Sequence, residues 1–80
     1  MAQQNIQQEI TTILSNMGIA QKAITGTASF VKDLGLDSLD FAELVMEMET
    51  VFDLEIPILE AEHIKTIHQA VDYIETRRRG

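Results

Sequence analysis

A glycine-containing turn at residues 33–36 runs directly into a long amphipathic stretch, and this stretch is the feature that most constrains the fold. Asp37 is of a type that caps helices, and Pro57 forbids the continuation of a helix. The pattern therefore predicts a helix from Ser38 to about Asp53. At about 100° per residue, its larger apolar residues share one broad face, the ordinary core stripe of a packed helix. They are Phe41, Leu44, Val45, Met48, Val51 and Phe52.

The opposite side of this helix carries a second apolar strip with i, i+3, i+7 spacing, surrounded by acid. We call this surface the docking face, and it consists of Leu39, Asp40, Ala42, Glu43, Met46, Glu47 and Glu49. Its apolar residues have no place in the core. An exposed apolar strip inside an acidic surround predicts a docking surface, in which methionine adapts to partners of different shape.

Ser38 is the candidate functional residue, because it lies where the helix begins. Backbone N–H groups without helical partners point outward at that end. A phosphate esterified to the hydroxyl would lie at the positive end of the helix dipole, with backbone donors beside it.

The stretch resembles the signature of acyl carrier proteins, in which the serine of D-S-L carries a 4′-phosphopantetheine arm. The run D-S-L-D matches residues 37–40, and E-L-V-M matches residues 43–46. An upstream Asp-Leu-Gly at residues 33–35 and a downstream Phe-Asp-Leu-Glu-Ile-Pro at residues 52–57 also fit. The resemblance covers nearly the whole chain.

The resemblance implies a carrier that catalyses nothing itself. A phosphopantetheinyl transferase would attach the arm from coenzyme A to Ser38, between Asp37 and Leu39, and acyl groups would ride on it as thioesters. The other implied partners are acyl synthase and acyltransferase enzymes with basic docking patches, in fatty acid synthesis or a related pathway. The acyl chain would be sheltered in a cavity among the helices, lined by Phe30, Phe41, Leu44, Val45, Met48 and Phe52. Phe41 departs from the family, which commonly has a smaller residue there.

Two alternatives stay open: a carrier of aminoacyl or polyketide units on the same arm, and an acidic interaction module without a prosthetic group. Two others are disfavoured. Residues 35–39 do not form the G-x-S-x-G elbow of a serine hydrolase. His63 and His68 lie about 140° apart on a helix, unsuited to i, i+4 metal ligation, and the aspartates lack the spacing of a calcium loop. We expect both histidines at the surface and no metal site.

The charge of −7 is concentrated, since ten of the thirteen carboxylates lie between Asp33 and Glu62 and no Lys or Arg lies between Lys32 and Lys65. This negative field disfavours nucleic acid and anionic membranes as partners and steers basic ones. The chain has no cysteine, so any thiol must be borrowed. No segment is long and apolar enough for a membrane span, and residues 1–5 do not resemble a secretory signal. A cytoplasmic monomer is expected.

The remaining segments predict three further elements. An apolar stripe predicts a first helix over residues 3–17, ended by Gly18, and a long loop over residues 18–37 is expected to be anchored by Phe30 and Leu34. A short helix is predicted from Pro57 to about Glu62. Stripe residues of the first helix are Ile6, Ile10, Ile13, Leu14 and Met17, and the other loop residues that could enter the core are Ile19, Ile24, Val31 and Leu36.

A last helix is predicted after a capping box formed by Thr66 and Gln69. Its apolar stripe is Ile67, Ala70, Val71 and Ile74, with Tyr73 extending the face. The arginines at residues 77–79 suit the negative end of its dipole and otherwise read as a solvated tail. The predicted fold class is all-α: residues 1–80 form a single domain, a small antiparallel bundle of three main helices and one short one, like an acyl carrier protein.

Overall fold

Four α-helices follow one another along residues 5–79, the part of the chain that the structure, a computed structural model, describes. They are α1 (Ile6–Asn16), α2 (Ser38–Phe52), α3 (Ile58–Ala61) and α4 (Ile67–Arg79), and a 3₁₀ turn at Gln21–Ala23 lies between the first two. The predicted all-α class with three main helices and one short one is confirmed. None of the described helices has the length and apolar character needed to cross a membrane.

The first helix begins later than predicted, because Asn5 caps it. The Asn5 side chain accepts a hydrogen bond from the N–H of Gln8 at 3.0 Å, and the backbone of Asn5 is extended, with φ −85° and ψ 106°, so α1 starts at Ile6. Residues 3 and 4 of the predicted helix lie outside the described residues. At the other end Gly18 has φ 97°, the left-handed conformation predicted for it.

The core lies among α1, α2, α4 and the long loop, and α1 packs against both other long helices. It contains no buried polar or charged side chain among the described residues. The helices contribute Ile10, Ile13, Leu14, Leu44, Met48, Phe52, Ala61, Ile67, Ala70 and Ile74, and the segments between them contribute Ile24, Ala28, Phe30, Leu34, Leu36, Ile56 and Ile64. The predicted stripes of all three long helices are therefore confirmed as inward faces, with Phe41, Val45, Val51, Val71 and Tyr73 half-buried at their edges.

The long loop is anchored by its apolar side chains, as predicted, but Val31 is an exception. Val31 is 62% exposed, whereas Phe30 and Leu34 are buried. The backbone N–H groups of Asp33 and Leu34 both donate to the carbonyl of Ser29, so the chain makes a helix-like turn here. Residues four apart share one side of such a turn, and Val31 falls on the other side. The expectation that Val31 enters the core was therefore wrong.

Backbone hydrogen bonds also tie this loop to the start of α4. Phe30 N–H donates to the Lys65 carbonyl at 2.9 Å. In the other direction, the N–H groups of Ile67 and His68 donate to the carbonyls of Ala28 (3.2 Å) and Gly26 (2.8 Å). The first N–H groups of a helix have no acceptors within the helix. Here two carbonyl groups of the loop are the acceptors for two of these N–H groups.

The ends of the two C-terminal helices follow the predicted chemistry with small shifts. Pro57 precedes α3 as its N-cap, with ψ 147°, instead of being its first helical residue, and its carbonyl accepts from the N–H groups of Glu60 and Ala61. The capping box of α4 is confirmed: Gln69 N–H donates to Thr66 Oγ1 at 3.2 Å, and Thr66 N–H donates to Gln69 Oε1 at 3.1 Å.

Arg77 does not behave as part of the solvated tail that the sequence suggests for residues 77–79. Its guanidinium forms an ion pair with Glu60 at 3.0 Å and lies over the Tyr73 ring, 5.4 Å from the centroid. The Tyr73 hydroxyl donates to the same Glu60 carboxylate, so this cluster joins α3 to α4. Arg78 also has a neighbour, since its guanidinium carbon lies 6.0 Å from the centre of the Phe52 ring.

Candidate functional site

Ser38 is the first residue of α2, and its side chain is exposed. The residue before it, Asp37, caps the helix as predicted: Asp37 Oδ1 accepts from the N–H of Asp40 at 2.8 Å. Asp40 reaches back in turn, and its Oδ2 accepts from the Asp37 N–H at 3.4 Å. These two carboxylates fix the first turn of α2, so the Ser38 hydroxyl is held facing outward.

The turn that leads into Ser38 is fixed to the core. Gly35 has φ 73°, a left-handed conformation that side-chain-bearing residues rarely adopt, and it lies between two buried leucines, Leu34 and Leu36. Leu36 N–H donates to the Phe30 carbonyl at 3.0 Å. Upstream, the Asp33 carboxylate accepts from the Ser29 N–H at 2.7 Å. Ser38 thus follows a supported turn and begins a capped helix.

The surroundings of Ser38 suit an esterified phosphate. Asp37 uses its side chain for Asp40 and its carbonyl for the Phe41 N–H at 2.9 Å, while the N–H groups of Ser38 and Leu39 have no acceptor within the described part of the chain. These groups lie at the positive end of a 15-residue helix. Across residues 5–79, no group of three or more His, Asp or Glu side chains is arranged to hold a metal ion. Both histidines, His63 and His68, are exposed as expected.

The docking face divides into an outward part and a part used by the chain itself. Leu39 is 80% and Met46 64% exposed, and Ala42, Glu43 and Glu47 are also exposed. In contrast, Asp40 and Glu49 are half-buried. Asp40 belongs to the cap of α2, and the Glu49 carboxylate accepts from the N–H of Ile56 at 2.8 Å. These two acidic groups therefore have structural partners in addition to any docking role.

Two further exposed apolar residues were missed by the sequence reasoning. Ile58 is 78% and Leu59 75% exposed, at the start of α3. The only indication in the sequence was that two apolar residues follow Pro57. A helix of four residues is too short for periodicity to define its inner face, so the sequence could not show that Ala61 alone would be buried there.

The residues expected to line an acyl cavity come together as a packed layer. Phe30, Leu44 and Met48 are almost completely buried, Phe52 is 6% exposed, and Phe41 and Val45 are half-buried at the rim. The rings of Phe30 and Phe41 pack with centroids 5.8 Å apart and planes inclined by 54°.

Two shallow depressions on the described surface lie elsewhere. One is beside His63, Tyr73 and Thr76, and the other is beside Leu54 and Pro57. Neither is lined by any of the residues expected to form the acyl cavity.

Comparisons with known proteins agree with this geometry. Residues 8–74 match the family model described as "Phosphopantetheine attachment site", and this range includes the supported turn, Ser38 and all of α2. The chain is also similar to a protein of Cyanidioschyzon merolae named "Acyl carrier protein", with 53% identity over 75 residues that cover 92% of this chain and 82% of the relative. The chain therefore belongs to the acyl carrier protein family, whose members carry acyl chains on a phosphopantetheine group and are not themselves enzymes.

Proposed function

We propose that the chain carries acyl groups as thioesters on a 4′-phosphopantetheine arm attached to the Oγ of Ser38, and that it delivers them to the enzymes of fatty acid synthesis. The observation that carries the proposal is an exposed serine as the first residue of α2, inside the D-S-L run. Membership of the family supports the arm, and the geometry supports this serine.

The residues around Ser38 have defined tasks in this function. Asp37 and Asp40 hold the first turn, so the hydroxyl stays accessible to a transferase. The N–H groups of Ser38 and Leu39 can donate to the phosphate, while the two carboxylates repel it and favour an arm that extends into solvent. The arm supplies a terminal thiol, which holds the acyl group as a thioester. The chain has no cysteine, so this thiol has no counterpart in the protein.

The docking face supplies contacts for successive partners. We propose a phosphopantetheinyl transferase and acyl synthase and acyltransferase enzymes with basic docking patches as these partners. Leu39 and Met46 offer a small exposed apolar contact, and Glu43 and Glu47 flank it with negative charge. A few apolar contacts with a screened rim of charges give fast and weak association, which suits a carrier that must leave each enzyme.

Replacement of the attachment residue tests the proposal. Incubation with coenzyme A and a phosphopantetheinyl transferase should add the mass of one arm to the wild type, and Ser38→Ala should abolish this gain. Ser38 is exposed, and the cap formed by Asp37 remains, so stability should change by no more than about 0.5 kcal/mol. Ser15→Ala, an exposed serine of α1, is the matched control and should be labelled normally. Arm attachment that persists in Ser38→Ala would refute the assignment.

The main rival function is an acidic interaction module without a prosthetic group, which the exposed Leu39 and Met46 would also suit. Under that function the wild type gains no mass in the same assay. The cargo is a separate question, because aminoacyl or polyketide units can use the same arm. Intact mass of the protein isolated from its own cells identifies the attached acyl group.

The single domain over residues 1–80, the monomeric state and the cytoplasmic location are parts of the same proposal. Light scattering after size exclusion tests the monomer. Limited proteolysis tests the domain, since a single domain should yield one resistant fragment. Cell fractionation with an antibody to the chain tests the location.

A further inference from the structure

The Phe41 ring lies at the edge of the core, one turn after Ser38. Its backbone N–H donates to the Asp37 carbonyl at 2.9 Å, so the residue is fixed within the capped first turn of α2. The side chain is half-buried and packs against the Phe30 ring, with 5.8 Å between the centroids. The ring therefore spans the boundary between the core and the solvent beside Ser38.

The part of the core against which Phe41 packs is apolar and buried. Phe30 is 1%, Leu36 4% and Leu44 0% exposed, and all three belong to one continuous core cluster. Phe30 is also held through its backbone: its N–H donates to the Lys65 carbonyl, and its carbonyl accepts from the Leu36 N–H. Phe30 is thus fixed in place by the loop, and the half-buried Phe41 ring covers its outer side. Phe41 therefore forms the solvent-facing edge of the apolar layer nearest to Ser38 along the chain.

We propose that Phe41 is a specificity-determining residue which, by packing on Phe30, closes the core to the acyl cargo. The proposal rests on the carrier function proposed for Ser38. In the wild-type protein, the acyl chain would then lie along the outside of the helical bundle. Each methylene added to the acyl chain would stay in contact with water or with a partner enzyme. A smaller residue at position 41 would leave space beside Phe30 that an acyl chain could fill, because dense interiors close such space only partially.

Acylated proteins of increasing chain length test the proposal. Arms that carry short to long acyl groups are transferred from the corresponding acyl coenzyme A to four proteins: the wild type, Phe41→Val, Phe41→Leu and Ile74→Ala. Ile74 is the matched control, because it is a fully buried apolar residue of α4 that does not belong to the residues expected to line the acyl cavity. Phe41→Leu removes less volume and decides the question if Phe41→Val does not fold.

The expected result is a melting temperature that rises with acyl length in the Phe41 variants and stays flat in the wild type and in Ile74→Ala. A ligand that binds only the folded state stabilises it, and longer chains would fill more of the new space. On a hydrophobic column, the acylated wild type should also be retained longer than Phe41→Val that carries the same chain. Equal rises in the wild type and the Phe41 variants would overturn the proposal, and so would a rise in Ile74→Ala that matches theirs.

Straight-chain alcohols, added without any arm, separate this inference from the carrier function. They are neutral, so the acidic surface does not repel them. They should raise the melting temperature of Phe41→Val or Phe41→Leu in a length-dependent way and leave the wild type unchanged. Failure of arm attachment in all four proteins would refute the carrier function, and the alcohol series would still decide the role of Phe41. Equal responses of the wild type and the variants to the alcohols would overturn it.

Discussion

Asp37 and Asp40 hold the first turn of α2 by accepting hydrogen bonds from each other's backbone N–H groups. Capping boxes usually have Glu or Gln at the position of Asp40, and the aspartate side chain is one methylene shorter than that of glutamate. The shorter aspartate reaches the Asp37 N–H only at 3.4 Å, a weak bond beside the 2.8 Å of its reciprocal. Asp40 therefore belongs to the docking face and also helps to hold the turn that carries Ser38.

Tyr73 should lower the stability of the fold at alkaline pH. Burial raises the pKa of its hydroxyl above the ordinary value of 10.0, the hydrogen bond to Glu60 raises it further, and the charge of Arg77 offsets part of the rise. The folded state thus keeps the proton more tightly than the unfolded state. The contribution of protonated Tyr73 to the free energy of unfolding is fully present below about pH 10. It is lost as the pH rises through the pKa of Tyr73 in the folded state.

Ultraviolet difference titration measures this pKa directly, because Tyr73 is the only tyrosine in the chain. Glu60→Gln should lower the pKa, since it removes a carboxylate that favours the protonated hydroxyl. Tyr73→Phe should flatten the fall in unfolding free energy above pH 10, because it removes the group that titrates. A wild-type tyrosine that titrates at or below 10.0 would contradict the prediction.

At the scale of elements, the long loop should behave as part of the core. Phe30→Ala should lower the unfolding free energy by about 3–5 kcal/mol, because it empties a side-chain site that is 1% exposed. Its neighbour Val31 is 62% exposed, and Val31→Ala should cost less than about 0.5 kcal/mol. Chemical denaturation of both variants measures the difference. Similar losses in the two would mean that the loop does not anchor the fold through Phe30.

The acidic side of α2 should govern partner association. Glu43→Lys combined with Glu47→Lys should weaken binding to a transferase and to a ketosynthase at low salt, because both carboxylates are exposed beside the apolar strip. The difference from the wild type should shrink above about 0.1 M salt, where the Debye length falls to about 10 Å. Stability should change little or rise.

The matched control is Asp72→Lys with Glu75→Lys, which makes the same change in net charge on exposed residues of α4. Titration by fluorescence anisotropy over a series of salt concentrations gives the affinities. If both double variants lose affinity equally, net charge governs association and the docking face has no special role.

The elements themselves were largely predictable, whereas contacts between elements were not. The stripes of α1, α2 and α4 are long enough for their period to define an inner face, and the capping residues Asp37 and Thr66 predict where α2 and α4 start. The Asn5 cap of α1 was missed, so the start of that helix was predicted too early. Glu49 and Arg77 were assigned from their own helices alone. Their partners, the Ile56 N–H and the Glu60 carboxylate, reach them only through the tertiary arrangement, which local sequence does not encode.

For the molecule as a whole, the concentration of acid between Asp33 and Glu62 should make stability depend on ionic strength. Like charges held on one surface repel one another, and added salt screens them. The melting temperature should rise with NaCl and rise to a similar extent with MgCl₂ at equal ionic strength. Circular dichroism during heating measures both series. A saturable rise at low MgCl₂ that NaCl does not reproduce would indicate a specific divalent-ion site instead.

The fold class of the molecule was predictable, but the joints, by which we mean the backbone hydrogen bonds that connect separate segments, were not. Apolar content and three long stripes indicate a helical bundle, while the sequence offers no signal that the carbonyls of Gly26 and Ala28 meet the first turn of α4. Likewise, the turn that leaves Val31 outside depends on hydrogen bonds to Ser29 rather than on any period. Such joints arise between segments distant along the chain, where hydrophobic patterning specifies which side is buried but not which groups meet.

The joint between the loop and α4 couples the opening of two segments that are far apart in sequence. The amide protons of Phe30, Ile67 and His68 are all engaged in it, and none can reach solvent while the loop stays seated on α4. In native-state hydrogen exchange these three amides should therefore exchange at a common free energy, as one cooperative unit. The four-residue α3 has one buried residue, so its amides should exchange earlier and independently. A loop with little regular secondary structure would then be as slow to open as the long helix beside it.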